Sequence, residues 1–236
     1  MHVYLPPDRR LALAAGQELP EHTSGAALFA DISGFTPLTE ALVRALGAKR
    51  GAEELPHQLN RVYDALIAET DRYGGSVISF AGDAITCWFA DPEAGDGRLE
   101  TPFAPQAAAL RATACALAIQ RVMGQFAAIT VPGLGQMSLA IKVAVTVGPA
   151  HRFIVGDEQI QLFDTLAGAT IARLAVAEHL AERGDVMLDA ACVAALGDAA
   201  ILRGWRDDAV TGLRFALLDR LTVAVEPTPW PHLTRP

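Results

Sequence analysis

Two apolar stretches of this chain each run into a glycine-containing bend, and each delivers one aspartate there. The first is AALFADISGFT, residues 26–36, with Asp31. The second is YGGSVISFAGDAITCWF, residues 73–89, with Asp83. Short apolar runs bounded by turn residues read as buried strands. The second stretch divides into strands over 76–80 and 84–89 around Ala81, Gly82 and Asp83, a hairpin with the carboxylate at its tip. Paired side by side, the two stretches bring both carboxylates to the ends of neighbouring strands.

The rest of the chain builds around that pairing. Residues 36–48 and 52–73 read as helices. In the longer one Leu55, Leu59, Val62, Leu66 and Ile67 form one apolar face, and Gly74-Gly75 ends it. The segment 90–105 reads as a loop, 106–128 as an alanine-rich helix, and 131–135 as its break. Strands are expected over 137–147, 150–155 and 159–163, the last two as a hairpin turning at 156–158. A helix over 168–183, a strand over 186–188, a helix over 190–196 and one or two strands up to 221 follow. Residues 1–23 read as an arm with one short helical turn, and 223–236 as a proline-rich linker. The order is not the strict strand–helix alternation of a doubly wound sheet. It fits an α+β chain with helices over one face of a largely antiparallel sheet.

Two carboxylates at strand ends are what a pair of hard divalent cations needs, since magnesium takes oxygen ligands and keeps positions open for substrate phosphates. Ser33, Gly34, Phe35 and Thr36 lead from Asp31 into a helix. Backbone N–H groups at such a turn attract anions, and Gly34 lets main chain approach a phosphate closely. Each feature also has a plainer reading: Asp31 and Asp83 as strand-end turn residues, Ser33 or Thr36 as an ordinary helix cap.

LFADISGFT (28–36) and FAGDA (80–84), about fifty residues apart, resemble the two metal-binding segments of class III nucleotidyl cyclases. IKVAVTVGPA (141–150) is similar to the family's next core strand. FIVGDE (153–158), LAG (166–168) and DVML (185–188) resemble the soluble, bicarbonate-responsive adenylyl cyclase branch, in particular its first catalytic domain. The likeness covers roughly residues 24–222. It implies a ferredoxin-like βαββαβ core, an active site formed where two such domains meet, and conversion of ATP to 3′,5′-cyclic AMP and pyrophosphate. It implies two Mg2+ or Mn2+ ions held by Asp31, Asp83 and the carbonyl of Ile32, with the triphosphate on the N–H groups of residues 33–36.

Part of the family's machinery has no match here. Its ribose-orienting asparagine and transition-state arginine stand in a Val-Asn-x-Ala-Ala-Arg-Leu signature; the corresponding GATIARL (168–174) has Ala169 four residues before Arg173. Aligned from DVML instead, Ala175 takes the arginine position. Arg173 reads as a solvated helix arginine and Lys142 as a solvent-facing strand residue, with catalytic roles as the alternative for both. Ser79 replaces the lysine that the soluble branch links to bicarbonate. The expectation is half a site: a metal-bearing domain that needs a complementary cyclase domain. The rivals are a regulatory, non-catalytic cyclase-homology domain and a guanylate cyclase. A diguanylate cyclase or palm-type polymerase is disfavoured, because Tyr73-Gly-Gly-Ser76 lacks the acidic pair that follows in such turns.

Composition agrees with a nucleotide enzyme more than a nucleic-acid binder. With 236 residues, 51% of them hydrophobic, the chain can bury a full core. A net charge of −8 argues against a nucleic-acid-binding face. No apolar run is long enough to span a membrane and no export signal is visible. Cys87, Cys115 and Cys192 lack metal-ligand spacing and read as reduced core thiols, which fits the cytoplasm.

Overall fold

The computed structural model describes residues 5–91, 107–131, 135–157 and 160–231. Its elements are α1 (Pro7–Ala14), β1 (His22–Ser33), α2 (Phe35–Arg72), β2 (Ser76–Ala81), β3 (Ala84–Ala90), α3 (Ala108–Met123), β4 (Ile129–Val131), β5 (Gly135–Met137), β6 (Ala140–Asp157), β7 (Gln161–Ala167), α4 (Ala169–Leu180), β8 (Val186–Asp189), α5 (Ala190–Leu196), β9 (Ala200–Asp207) and β10 (Arg214–Leu221). The expected loop over 90–105 lies outside the described residues beyond Asp91.

The main sheet runs β2-β3-β1-β6-β8-β10-β9, with β7 paired to the outer part of β6. Its first four strands, with α2 and α3 as the connections, form the expected βαββαβ core. All neighbours are antiparallel except β6 and β8. β1 lies in the interior, pairing with β3 on one side and β6 on the other. Burial on both faces explains its unbroken apolar run. Ala26, Leu28, Ala30 and Ile32 face a core closed by α2, α3 and α5, while Ala27 and Phe29 face a second cluster closed by α4. Three helices thus cover one face as expected. A fourth, α4, covers the other, because Leu174, Ala177 and Ala181 find their apolar partners there in Ala144, Met187 and Phe215.

Several segments differ from their sequence reading. The two helices expected over 36–48 and 52–73 form one span, interrupted only at Gly47, whose φ of 80° and ψ of 163° leave the helical region. The strands expected separately over 137–147 and 150–155 are a single 18-residue strand, β6, which passes through Pro149 and outruns the sheet. Its outer half pairs only with β1's first residues and with β7, so a proline is tolerated there. The N-terminal arm is a docked two-turn helix. Arg152 of β6 bonds Asp8 and Asp164, and Arg9 reaches Asp164 at 2.7 Å, all four side chains largely buried. The C-terminal linker folds back as far as Trp230, whose Nε1 donates to the carbonyl of Gly75 at 2.8 Å.

The three cysteines are free and buried, as expected, and burial pushes the Cys87 and Cys192 thiols up to about 12. Trp88 is core. Among the described residues no helix is long and apolar enough to cross a membrane.

Candidate active site

Strand register assembles the site. Asp31 on β1 lies opposite Ala84 of β3, and the Ile32 N–H donates to the carbonyl of Asp83 at 3.1 Å. That bond joins the end of β1 to the tip of the β2–β3 hairpin. Both aspartates are partly exposed while Ile32 is buried in the core. The hairpin tip is braced from α2: the Tyr63 hydroxyl donates to the carbonyl of Gly82 at 2.6 Å, and its ring meets Phe80 edge-on at 5.4 Å. Burial raises the pKa of Tyr63, with the charges of Asp83 and Asp31 adding to it.

β1 then turns sharply at Gly34. Its φ of 97° is left-handed, and a Cβ there would stand 2.7 Å from the carbonyl oxygen of Ser138. Glycine is demanded on both counts. Gly34 is also the N-cap residue of α2, and no side chain caps this helix. Neither Ser33 nor Thr36 fills the capping role that the plainer reading offered. The opening N–H groups of α2 therefore start beside Asp31 without a side-chain acceptor, at the positive end of the helix. Arg183, which sequence reasoning missed, lies alongside: its Nη2 is 3.4 Å from where a Gly34 Cβ would stand and 3.4 Å from the Ser138 carbonyl oxygen. The sequence reading carried the helix through residue 183; α4 ends at Leu180 instead and leaves Arg183 in the turn beyond it.

Lys142 does not face solvent as expected. It stands directly opposite Asp31 in the β1–β6 register, on the same face. Its ammonium lies 3.3 Å from Asp31 Oδ2 and 2.5 Å from Glu178 Oε1, the latter delivered by α4. Burial alone would lower the Lys142 pKa, but Glu178 and then Asp31 reverse this and raise it. Burial raises Asp31, Lys142 opposes that, and the charges of Asp83 and Glu178 add to the rise. Glu178 had no sequence signal, since it lies about 150 residues from Asp31 in an alanine-rich helix.

Arg173 is not a solvated helix arginine either. Its Nε donates to Asp189 Oδ2 at 2.8 Å and its Nη2 to the Val147 carbonyl at 2.7 Å. Asp189 in turn caps α5 by accepting from the Cys192 N–H. This ties β6, α4 and α5 together. Ser79 is exposed on β2, where it pairs with Thr86 of β3, itself the partner of Phe29, two residues before Asp31.

The donor set suits a hard divalent cation. Two carboxylates converge, both partly exposed, and a lysine ammonium already stands against one of them as a cation. Among the described residues no three His, Cys, Asp or Glu side chains form a closed metal cage. Magnesium does not need one, because it retains waters and takes substrate phosphates as ligands.

No family model matches the chain. Among curated proteins it is similar to adenylate cyclase type 10 of Rattus norvegicus, 28% identical over 169 residues (71% of this chain), and to that of Oryctolagus cuniculus, 26% identical over 173 residues (73% of this chain). The chain spans about a tenth of the length of these relatives. Among solved structures, the guanylyl cyclase Cya2 superposes with a TM-score of 0.64 at 20% identity, over 85% of this chain and 93% of that one. The adenylyl cyclase CyaB from P. aeruginosa gives 0.64 at 21%, over 85% and 96%. The guanylate cyclase domain of RhGC from Catenaria anguillulae, solved with GTP, gives 0.62 at 17%, over 86% and 100%. The chain thus has the fold of a class III nucleotidyl cyclase catalytic domain, and over most of its length its sequence resembles the type 10 adenylate cyclases.

Proposed function

We propose that this chain is the metal-bearing catalytic domain of an adenylate cyclase, which converts ATP to 3′,5′-cyclic AMP and pyrophosphate in company with a complementary cyclase domain. The observation that carries this is the convergence of Asp31 and Asp83, locked by the Ile32–Asp83 backbone bond beside the uncapped start of α2. Asp31, Asp83 and the Ile32 carbonyl would hold two Mg2+ or Mn2+ ions, which supply Lewis-acid polarisation of the ribose 3′-hydroxyl and the triphosphate. The N–H groups of Ser33, Gly34, Phe35 and Thr36 receive the triphosphate, with the Arg183 guanidinium beside them. The 3′-hydroxyl gives up its proton to solvent, its oxygen bonds to the α-phosphorus, the bond from that phosphorus to the bridging oxygen breaks, and pyrophosphate leaves with its charge held by these donors.

What this chain does not present supports the need for a partner. Ala169 stands where one alignment places the asparagine, and Arg173 is committed to Asp189 and Val147. The purine-reading, ribose-orienting and transition-state groups then come from the second domain. The β6–β7 hairpin offers it a surface: Phe153, Ile154, Val155, Ile160 and Phe163 are all exposed there, Ile160 by 70%. ATP as the substrate is supported by the curated relatives, which are named adenylate cyclases; guanylyl cyclases share the fold. A cytoplasmic location suits an ATP-consuming domain.

The test is cyclic-nucleotide production from ATP and from GTP, in Mg2+ and in Mn2+, by the chain alone and with a complementary cyclase domain. Activity is expected only in the pair. It should fall at least about 100-fold in Asp31→Ala or Asp83→Ala. A second reading, a regulatory domain that binds nucleotide without turnover, is favoured by the locked Arg173. Metal-dependent ATP binding with no product in any pairing would establish it.

A further inference from the structure

The Lys142 ammonium occupies a position that a metal ion at Asp31 would contest. It is 3.3 Å from Asp31 Oδ2, and two cations on one half-buried carboxylate repel each other strongly. Metal affinity is therefore reduced by whatever fraction of the time Lys142 holds that carboxylate. Glu178 offers the lysine an alternative. Its Oε1 is 2.5 Å from the ammonium and its backbone carbonyl 3.4 Å away, so two oxygens of one residue draw Lys142 toward α4 and away from β1. The three side chains are only 20–27% exposed, which shields the contest from solvent. Glu178 belongs to α4 and Asp31 to β1, and no other acidic partner of Lys142 occurs among the described residues.

We propose that Glu178 is a positioning residue that sets the divalent-cation affinity of Asp31 by accepting Lys142 when a metal arrives. The inference rests on Asp31 being a metal ligand. With Glu178 present, displacing Lys142 costs one contact and retains a shorter one. Without its carboxylate, the ammonium keeps Asp31 as its one charged partner among the described residues, and the metal competes against a committed ion pair.

The test is Mn2+ binding to the whole chain, read by electron paramagnetic resonance without nucleotide or turnover. Glu178→Gln should weaken binding by about 3- to 10-fold. Lys142→Gln should strengthen it by a similar factor. The double variant should match Lys142→Gln, because Glu178 acts only through the lysine. A Glu178→Gln variant that binds like the parent overturns the proposal. So does a loss that persists at full size in the Lys142→Gln background, which would mean Glu178 acts by its charge alone. If Glu178→Gln does not fold, Lys142→Gln decides by itself, and unchanged or weaker binding overturns the proposal. Parental Mn2+ binding in Asp31→Ala is a different result: it removes the metal reading of Asp31, whatever Glu178 does.

Discussion

Single residues divide here into those that carry the proposed chemistry and those that aim it. Tyr63 is of the second kind. It touches neither aspartate by hydrogen bond, yet its hydroxyl holds the carbonyl just before Asp83 at 2.6 Å. Tyr63→Phe keeps the ring packing against Phe80 and removes only that bond. The expected loss is about 1 kcal/mol, roughly 2–4 °C in thermal midpoint for a domain of this size. The metal concentration for half-maximal cyclase activity should rise several-fold, because the Asp83 turn is freed. A titration of activity against Mn2+ checks this, and an unchanged midpoint with unchanged metal dependence counts against a brace at this position. Gly34 is the complementary case, a residue whose absent side chain is its contribution. Its left-handed φ and its closeness to Ser138 leave no space for a Cβ. That requirement was legible in the sequence as a glycine between an aspartate and a helix. The Tyr63 and Glu178 contacts were not, because each joins residues distant in the chain.

Among the elements, α1 and the β6–β7 hairpin form one unit through a buried charge cluster. Burial alone would raise the Asp164 pKa, but hydrogen bonds from Arg152 and Arg9, with their charges, reverse this and hold it below its ordinary 3.8. A depressed carboxylate contributes stability above its unfolded pKa, and that stability fades as pH falls through the lower folded value. Docking of α1 should thus be complete at neutral pH and loosen only under acid, below about pH 4. Arg152→Met removes the central cation and leaves Asp8 and Asp164 buried with Arg9 alone. Breaking a buried cluster of this kind costs about 3–5 kcal/mol, a fall of roughly 10 °C in thermal midpoint. Limited proteolysis at neutral pH should then cut near α1 in the variant and spare the parent. Resistance to cutting with an unshifted midpoint would show that α1 does not depend on the cluster.

For the molecule as a whole, the question is what covers the exposed hairpin. Five large apolar side chains on β6–β7 and its turn face solvent beyond the main sheet. A partner domain seated there would bury them. Replacing Ile160 and Phe163 by serine, 70% and 53% exposed in the chain alone, should leave its thermal midpoint within about 2 °C. It should weaken association with the complementary domain at least about tenfold, read by sedimentation velocity, with activity of the pair falling in parallel. Association unchanged by both substitutions would move the interface elsewhere on the fold.

The sequence by itself determined the strands and bends that hold Asp31 and Asp83, the glycine turn into α2, the hairpin and the α+β order. These follow from local rules: apolar runs, glycine at left-handed turns, and periodic helix faces. It also carried the likeness to class III cyclases, through two short motifs. Only the tertiary structure decided where the cations went. Lys142 and Arg173 both read as solvent-facing, because strand alternation and helix periodicity show which face a side chain takes but not what packs over that face. The β1–β6 register set Lys142 opposite Asp31, and α4 crossing the second face brought Glu178 to Lys142 and Arg173 to Asp189. Those are contacts between different elements, 36 residues apart for Lys142 and Glu178 and 16 for Arg173 and Asp189, and no local pattern specifies them.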